Sequence, residues 1–567
     1  MDERPLFFGV SAASPRAMTS RSAAWLLLGL LASTPACKRR PPPAEPAAKV
    51  EAAEKPRLVL NVVFDQMSAW ALERYLPALS DSGFIKRALA EGAYVERAQY
   101  PYGVTITAVG HATINTGVLP KEHGVVSNDQ YDPVRGQKRA LVDDGEHQVF
   151  GTEGFAGPGV LKVDTVGDVL AQTTEGLNVS ISLKDRGSVL PGGKKADFVA
   201  FYEKKIPGFT TSSYYADEMP KWLAEWNAAH PASDYFDVWT PLEVTARVAG
   251  VPDDRGPIEG DLDGFGRVFP HDPKATSNPA SIIRLMPNGT RYQLDLVRAA
   301  VEALELGQDE ATDLLSVSVS STDYTGHAFG AESWEYLDNL VRSDEMLGQL
   351  VRELERKTKL AVLLTSDHGQ EPTSAKPLSA RIFPEKLVEE LNRKLRRKLG
   401  KGQHVTGYHI PYLYLSPELL GRPKIDAIIE TIIGLLEARP DVAAAYPTQA
   451  IASADEAQLA EMAGKLDVEL LEAIARGVDP ERGGPIYVLP AEGAIVDASS
   501  GDGGTTHGTP YAYDREVPVL GLGVGVSHVR TATASMLQVA PSLARLLGIS
   551  PPAGAKAAPL PGFDGVN

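Results

Sequence analysis

Two apolar, β-rich runs in this chain each lead into a cluster of carboxylate and imidazole side chains. Residues 314–319 precede Asp323-Tyr-Thr-Gly-His327, and residues 360–364 precede Ser366-Asp-His-Gly369. Between the two clusters, leucine and valine recur at helical spacing, which predicts a helix over 333–357. The order strand, helix, strand predicts a βαβ unit and hence a parallel sheet. We expect both clusters at the carboxyl edge of that sheet, where α/β enzymes build their sites.

Two further segments offer the same kinds of side chain. The apolar run 58–64 ends at Asp65, and His507 lies in the glycine-rich loop 503–508. Carboxylates and imidazoles together favour a zinc-type ion over Mg²⁺ or Ca²⁺. Each residue alone has an ordinary alternative, because a strand-terminal Asp often caps a helix and a loop His is commonly structural. The joint pattern in four separate segments predicts a metal site. Its carboxylates and imidazoles are numerous enough to begin a site for two metal ions.

Composition and charge exclude several classes of function. The chain has 567 residues, of which 43% are hydrophobic, and this is ample for a sizeable core. The formal net charge of -17 disfavours non-specific binding to nucleic acid, so no nucleic-acid partner is expected. Cys37 is the single cysteine. Intrachain disulfides, thiolate metal sites and cysteine-derived catalytic groups are therefore excluded.

The N-terminal segment 1–37 is typical of an export signal. Arginines precede the apolar run 23–32, which is too short to span a bilayer comfortably but suits the core of a signal peptide. Cleavage after Ala36 would leave Cys37 at the new N-terminus, as in a bacterial lipoprotein, and ordinary cleavage at the same bond is the alternative. We expect an exported bacterial protein, either periplasmic or anchored in the outer membrane through a lipid on Cys37.

The remaining chain divides by composition into three parts. Residues 38–55 are rich in proline and small or charged residues, which predicts a linker. Residues 56–550 are expected to form one catalytic α/β domain, with insertions or caps near 200–300 and 380–490. The Pro/Ala-rich tail 551–567 is predicted to be disordered.

Thr107 is the candidate nucleophile, in the segment Thr105-Ile-Thr-Ala-Val-Gly-His111. A hydroxyl is a poor nucleophile until a base or a metal lowers its pKa, and coordination to Zn²⁺ would activate it. The ordinary alternative is that these threonines are β-branched residues of a strand or turn. For His111 and His123 we favour buried, hydrogen-bonded structural roles.

The ordered set of motifs resembles the alkaline phosphatase superfamily, and within it the nucleotide pyrophosphatase/phosphodiesterase-like branch. Order and approximate spacing match from about residue 57 to 550, and the ordered set is far more specific than any single motif. The motifs are Phe64-Asp65, Thr107-x-x-Gly-His111, His123-Gly, Asn128-Asp129, Asp323-x-x-x-His327, Ser366-Asp-His-Gly369 and Thr506-His507-Gly508.

This resemblance implies a fold and a set of roles. The fold would be α/β, with an alkaline-phosphatase-like, mostly parallel central sheet flanked by helices and carrying cap insertions. Asn128 would donate a hydrogen bond to a phosphoryl oxygen, and Thr107 would be the nucleophile, facing the second of two zinc ions. The resemblance assigns one zinc to Asp323, His327 and His507, and the second to Asp65, Asp367 and His368.

The segment Ser182-Leu-Lys184-Asp-Arg186-Gly separates the sub-branches. It is similar to the segment of the periplasmic, monoesterase-type alkaline phosphatases of the PafA type, in which the Lys and Arg meet phosphoryl oxygens. A monoester dianion carries one more charged oxygen than a diester, so two cations at one place favour it. The ordinary alternative for Lys184 and Arg186 is a solvated strand end.

The predicted function is a two-zinc alkaline phosphatase that hydrolyses small-molecule phosphate monoesters through a phosphothreonine and releases phosphate. The close alternative is a phosphodiesterase or nucleotide pyrophosphatase, which would share the zinc ligands but place an apolar or aromatic groove where Lys184 and Arg186 stand. A third alternative is a non-catalytic surface lipoprotein, against which the intact ligands and nucleophile argue. A sulfatase is disfavoured because no cysteine outside the leader could become formylglycine.

Overall fold

A nine-stranded sheet lies at the centre of the folded part of the chain. The computed structural model describes residues 54–132, 137–245, 254, 259–372, 381–464, 466–496 and 503–565. These residues belong to one unit, Ala53–Asn567. The leader and the linker as far as residue 53 lie outside the described residues.

The described strands belong to the central sheet, to a smaller four-stranded sheet and to two short two-stranded pairs. They are β1 (Leu58–Phe64), β2 (Ala93–Gln99), β3 (Asp129–Asp132), β4 (Gln137–Ala140), β5 (Asn178–Ser182), β6 (Phe198–Glu203), β7 (Gly208–Thr210), β8 (Asp313–Val319), β9 (Leu360–Thr365), β10 (Arg381–Ile382), β11 (Val405–His409), β12 (Tyr412–Leu415), β13 (Val442–Pro447), β14 (Ile486–Pro490), β15 (Ile495–Val496), β16 (Glu516–Gly523) and β17 (Val529–Ser535).

Helices connect the strands, and within the described residues none of them is long and apolar enough to cross a membrane. They are α1 (Ala69–Tyr75), α2 (Phe84–Glu91), α3 (Thr107–Thr116), α4 (Pro120–His123), α5 (Val166–Thr173), α6 (Asp185–Gly192), α7 (Lys221–Ala229), α8 (Pro279–Ile282), α9 (Pro287–Ala303), α10 (Ser321–Phe329), α11 (Trp334–Glu355), α12 (Pro384–Leu399), α13 (Pro417–Leu420), α14 (Ile425–Glu437), α15 (Thr448–Ser453), α16 (Glu456–Ala463), α17 (Val468–Gly477), α18 (Ala512–Arg515) and α19 (Val539–Leu547).

The central sheet has the strand order β17-β2-β16-β9-β1-β8-β5-β6-β7. The five strands from β9 to β6 are mutually parallel, whereas β16 and β7 run antiparallel to their neighbours. Strands β1, β8 and β9 are buried along their whole length, as expected for apolar strands covered on both faces. The predicted α/β fold with a mostly parallel central sheet is therefore confirmed.

The predicted βαβ unit corresponds to β8, α11 and β9, with β1 lying between the two strands. Phe64 pairs with Val319, and Val63 pairs with Thr365. The carboxyl ends of β1, β8 and β9 consequently lie at one level, which places the residues after each strand side by side. The predicted helix 333–357 is observed two residues shorter at its C-terminal end.

The second sheet lies within the segment expected to be an insertion near 380–490. It has the antiparallel order β11-β12-β14-β13 and its own apolar core, to which α12 and α14 contribute. The segment near 200–300 is less separate than expected. It contains the edge strand β7, and apolar residues of α9 belong to the core of the central sheet.

The prediction of a disordered tail is wrong for the residues that are described, 551–565. Phe563 is fully buried, and Leu560 is buried beside it in the main core. The Phe563 ring packs directly on β16, because a Cβ added to Gly521 would lie 2.6 Å from its Cζ. The amide of Asp564 donates to the carbonyl of Gly525 at 2.9 Å. Two apolar side chains, separated by a proline and a glycine, are enough to fix this segment.

We therefore predict that Phe563→Ala destabilises the fold by about 3–5 kcal/mol, because it leaves a cavity against β16. Chemical denaturation measures this change, with Leu420→Ala as the control, since Leu420 is 40% exposed. A change below about 0.5 kcal/mol for Phe563→Ala, within the range of ordinary surface substitutions, would contradict the packing of the tail.

Candidate active site

Four of the central strands deliver polar side chains to the same edge of the sheet. Asp65 follows β1, Asp367 and His368 follow β9, and Lys184 follows β5 after a single leucine. These side chains are buried, although carboxylates and ammonium groups are rarely buried without partners. The parallel register described above brings them together, since β9, β1, β8 and β5 are consecutive in the sheet.

Helix α10 supplies Asp323 and His327 immediately after β8. Their separation of four residues places both side chains on one face of the helix. The loop that carries His507 crosses this helix closely: a Cβ added to Gly504, which has φ +83°, would lie 1.7 Å from the carbonyl oxygen of His327. Glycine is therefore needed at residue 504, because any side chain there would prevent the loop from approaching α10 this closely.

Asp323, His327 and His507 form one cluster of metal-binding type. The Oδ1 atom of Asp323 lies 3.2 Å from Nε2 of His327 and 3.4 Å from Nε2 of His507. The His327 side chain is 39% exposed, so the site opens to solvent on this side. This is the set that the resemblance assigned to one zinc ion.

A second cluster of the same type contains Asp65, His368 and again Asp323. Nε2 of His368 lies 3.4 Å from Oδ1 of Asp65 and 3.6 Å from Oδ2 of Asp367. The rings of His368 and His507 are stacked with their centres 3.5 Å apart, so the two clusters adjoin. Asp323 is close to both clusters, and the assignment of Asp367 to the second ion stays a prediction.

All three imidazoles turn Nε2 toward the carboxylates. Their Nδ1 atoms face backbone carbonyls, of Thr505 for His327, of Gly369 for His368 and of Thr105 for His507, at 2.9–3.0 Å. A carbonyl oxygen only accepts, so each Nδ1 must carry the hydrogen. In a neutral ring Nε2 then keeps its lone pair, as in metal-binding histidines. Burial lowers the pKa of His368 to about 3, which keeps this ring neutral near pH 7.

The carboxylates have oxygens that no protein donor satisfies. Oδ1 of Asp65, Oδ1 of Asp323 and Oδ2 of Asp367 are buried and accept no hydrogen bond within the described residues. A buried, unsatisfied carboxylate oxygen is costly and calls for a cation. Three such oxygens beside three imidazole Nε2 atoms make a donor set that suits zinc-type ions.

Lys184 joins the two clusters. Its Nζ lies 2.6 Å from Oδ2 of Asp65 and 2.5 Å from Oδ2 of Asp323. Burial and the neighbouring carboxylates Asp323 and Asp367 raise the pKa of Asp65, and the ammonium group opposes this rise. Burial lowers the pKa of Lys184, but Asp323 and Asp65 outweigh it and raise this pKa, so the side chain stays protonated. The burial of Lys184 excludes the ordinary alternative of a solvated strand end for this residue.

Thr107 is the first residue of α3, not part of a strand. Its Oγ1 lies 3.4 Å from Nε2 of His368 and 3.4 Å from Nζ of Lys184. The helix N-terminus carries partial positive charge, which favours an anion at this point. Helix α3 can approach β9 because residue 110 is glycine: a Cβ there would lie 2.0 Å from the carbonyl oxygen of Asp367.

Asn128 and Arg186 lie at the margin of this arrangement. Oδ1 of Asn128 accepts a hydrogen bond from the amide of Ala108 at 2.8 Å. The Asn128 side chain is thereby fixed beside the N-terminus of α3, and its amide nitrogen is the group that can donate. Arg186 lines the same cavity as Lys184, and its Nη1 is 3.8 Å from Oδ1 of Asp185. The structure thus brings together all ten side chains that the sequence singled out.

Three neighbours were given no functional role from the sequence. His111 is buried, as expected, and its Nδ1 bonds to the carbonyl of Thr107 at 2.9 Å, while Oδ2 of Asp367 lies 3.2 Å from the same nitrogen. Tyr324 stands beside Lys184, and Arg284 stands beside Tyr324. Tyr324 lies inside the motif 323–327 and could have been suspected, whereas Arg284 lies in a stretch without periodicity and gave no signal.

Comparison with known proteins identifies the class. The family described as Type I phosphodiesterase / nucleotide pyrophosphatase matches residues 59–510, and the chain belongs to this family. Among curated relatives, alkaline phosphatase PafA of Elizabethkingia meningoseptica is 30% identical over 91% of this chain and 95% of its own. Alkaline phosphatase PhoV of Synechococcus elongatus is 29% identical over 93% and 96%.

A crystal structure of alkaline phosphatase PafA superposes on the chain with a TM-score of 0.81, at 28% identity, covering 91% of this chain and 100% of the other. The family resemblance, the fold class and the prediction of an alkaline-phosphatase-type enzyme are confirmed by these comparisons.

We predict that Asp323→Asn lowers the amount of tightly bound zinc by at least one equivalent per chain, because Asp323 is close to both clusters. Elemental analysis after dialysis measures it. Asp344→Asn is the matched control: Asp344 is a buried carboxylate outside the site, and burial raises its pKa to about 7, so an amide resembles its protonated form. Equal zinc content in the Asp323 variant and the wild type would contradict the candidate metal centre.

Proposed function

We propose that the protein is a two-zinc alkaline phosphatase that hydrolyses small-molecule phosphate monoesters through a covalent phosphothreonine at Thr107. The observation that carries this proposal is the position of the Thr107 hydroxyl, 3.4 Å from both a histidine of the candidate metal centre and the Lys184 ammonium. The two curated relatives named above are alkaline phosphatases, which supports the same reaction.

The donor set supports two zinc ions. Asp323, His327 and His507 would hold one, and Asp65, Asp367 and His368 would hold the other. When bound, the ions would lower the pKa values of the Thr107 hydroxyl and of a water molecule and would offset charge on the leaving oxygen. The hydrogen bonds from the imidazole Nδ1 atoms to backbone carbonyls would keep the rings in the orientation needed to bind the ions.

The side chains of the protein would perform the rest of the reaction. Oγ1 of Thr107 attacks phosphorus, the new Oγ1–P bond forms, and the ester P–O bond breaks as the alcohol leaves. Water then attacks the phosphothreonine: a new P–O bond forms, the Oγ1–P bond breaks, Thr107 takes up a proton from the water, and inorganic phosphate is released. Lys184, Arg186 and Asn128 donate hydrogen bonds to the non-bridging oxygens, and the N-terminus of α3 adds partial positive charge there.

The choice between monoester and diester rests on Lys184 and Arg186. A monoester dianion presents charged oxygens to both cations, whereas a diester has a neutral substituent at one of these positions. Phosphodiester or nucleotide pyrophosphate hydrolysis remains the second candidate, because the family itself is described by those activities. An apolar groove at this position would favour diester hydrolysis. The position is instead occupied by the buried ammonium group of Lys184, which is charged and not apolar.

The leader supports export. We propose a periplasmic or outer-membrane protein of a bacterium, with the lipid on Cys37 as the more specific form. Both statements depend on the sequence of residues 1–37 alone.

Thr107→Ala is predicted to reduce turnover of p-nitrophenyl phosphate to the background rate while zinc content stays at the wild-type value. The substitution removes the nucleophile without removing an imidazole or carboxylate ligand. Thr116→Ala, at the other end of the same helix, is the control and should keep wild-type turnover. Near-normal activity of Thr107→Ala would mean that another group attacks phosphorus.

Lys184→Ala is predicted to lower kcat/KM for p-nitrophenyl phosphate about 10²–10³-fold, the usual effect of removing one transition-state donor. For bis-p-nitrophenyl phosphate the loss should stay below about tenfold, since this substrate lacks the additional charged oxygen. Lys221→Ala, an exposed lysine on α7, is the control. Equal losses for both esters, at unchanged zinc content, would remove the reason for preferring a monoesterase.

A further inference from the structure

A cavity of about 320 Å³ opens beside the side chains proposed to hold the phosphoryl group. Lys184 and Arg186 form one part of its lining, and Tyr324 and Arg284 form another. It contains none of the candidate metal ligands, so it extends the site away from the reacting atoms. A substrate whose phosphoryl group contacts Lys184 would therefore have room for further atoms in this cavity.

Two cations lie close to the Tyr324 ring at the wall of the cavity. Nζ of Lys184 lies 4.9 Å from the centre of the Tyr324 ring, and Cζ of Arg284 lies 4.6 Å from it. The guanidinium of Arg284 also donates to the Tyr324 hydroxyl at 2.9 Å and to the carbonyl of Ser281 at 3.2 Å. These contacts hold its plane in a fixed orientation, and a fixed guanidinium loses little conformational freedom when it binds an anion.

Arg284 is not neutralised by the protein around it. Within the described residues, no carboxylate oxygen lies within 4.0 Å of its guanidinium, in contrast to Arg291, which pairs with Asp237 at 2.9 Å. Arg284 is also only partly exposed, so it cannot simply be hydrated like a surface arginine. An arginine that is positioned by neutral groups and faces a cavity is suited to bind an oxyanion through two parallel hydrogen bonds.

The acidic side chains that also line the cavity are engaged with backbone amides. Asp143 accepts from Gly145 at 3.0 Å, Asp185 from the amide of Arg186 at 2.7 Å, and Glu203 from Lys205 at 2.8 Å. Hydrogen bonds of this kind offset part of their charge. The exposed side chains of Lys204 and Lys205 add two positive charges to the lining.

We propose that this cavity is a subsite for a second oxyanion, and that the preferred substrates are phosphate monoesters that carry a carboxylate or a further phosphate close to the scissile group. Arg284 is the residue that selects them, backed by Tyr324. This inference rests on the proposed function, because Lys184 and Arg186 must hold the phosphoryl group for the cavity to receive the rest of the substrate. Arg284 acts in binding and has no contact with Thr107 or the metal ligands.

The test compares two substrates of equal length, 3-phosphoglycerate and glycerol 3-phosphate, which differ in a carboxylate at the far end. Arg284→Ala should raise KM for 3-phosphoglycerate about tenfold, equivalent to about 1.4 kcal/mol. Its kcat on both substrates and its KM for glycerol 3-phosphate should change less than about twofold. Arg284→Lys should recover part of the loss. Arg291→Ala, which also removes an arginine stacked on a tyrosine, is the control and should change neither substrate.

Three results would overturn the inference. One is an equal loss on both substrates, which would indicate a structural role for Arg284. Another is no loss on either substrate. The third is a tenfold weaker competitive inhibition by inorganic phosphate in Arg284→Ala, which would mean that Arg284 contacts the scissile phosphoryl group itself and not a second oxyanion. Failure of the proposed function is distinct from all of these, because the wild-type enzyme with zinc would then not hydrolyse p-nitrophenyl phosphate at all.

Discussion

Three buried carboxylates, Asp65, Asp323 and Asp367, converge at the edge of the sheet, and cations must offset their mutual repulsion. Burial and like charge both raise the pKa of Asp65. The Lys184 ammonium, in contact with Asp65 and Asp323, opposes this repulsion. Replacing one partner of such a buried group would leave an uncompensated charge at a cost of several kcal/mol. The arrangement is stable only as a whole, so the surrounding elements must keep it together.

Much of the surrounding structure can be understood from this constraint. Helix α3 packs at Gly110 against the segment that follows β9, which brings the Thr107 hydroxyl and His111 to the carboxylates. The loop of His507 crosses α10 at Gly504, which closes the first cluster. The carbonyls of Thr505, Gly369 and Thr105 orient the imidazoles. Each of these contacts depends on backbone geometry, and each positions a polar group that would be unstable in isolation.

The sequence predicted the centre of the site better than its margin. Three of its residues, Asp65, Asp367 and His368, come directly after apolar strands, and Asp323 lies in the first turn of the helix that follows β8. The carboxyl ends of neighbouring parallel strands lie at one edge of the sheet, so the proximity of these residues could be expected. Arg284 lies in a 3₁₀ turn between α8 and α9, where neither apolar periodicity nor strand order indicates what a side chain faces. The prediction for the tail was wrong because it was based on the high proline and alanine content, which does not reveal that Phe563 is buried. Tertiary packing, which local pattern does not encode, decided both cases.

The family and the relatives of this chain are named for different phosphate esters, and under the proposed function the cations beside the candidate metal centre would distinguish the substrates. The family is described by phosphodiester and pyrophosphate hydrolysis, whereas the full-length relatives are named alkaline phosphatases. In this chain Lys184 links the carboxylates to the Thr107 hydroxyl, Arg186 borders the cavity, and Arg284 lines the same cavity. Under the two proposals, Lys184 and Arg186 would bind the phosphoryl group, and Arg284 would bind the remainder of the substrate.

The central claim is that Thr107 attacks phosphorus and is then released by water, so the phosphoryl group is displaced twice. Hydrolysis of a phosphorothioate monoester that is chiral through oxygen isotopes, in isotopically labelled water with zinc present, tests this most directly. Each in-line displacement inverts the configuration at phosphorus. The account predicts net retention in the released thiophosphate. Net inversion would mean that water attacks the ester directly, and it would contradict the role of Thr107 as nucleophile.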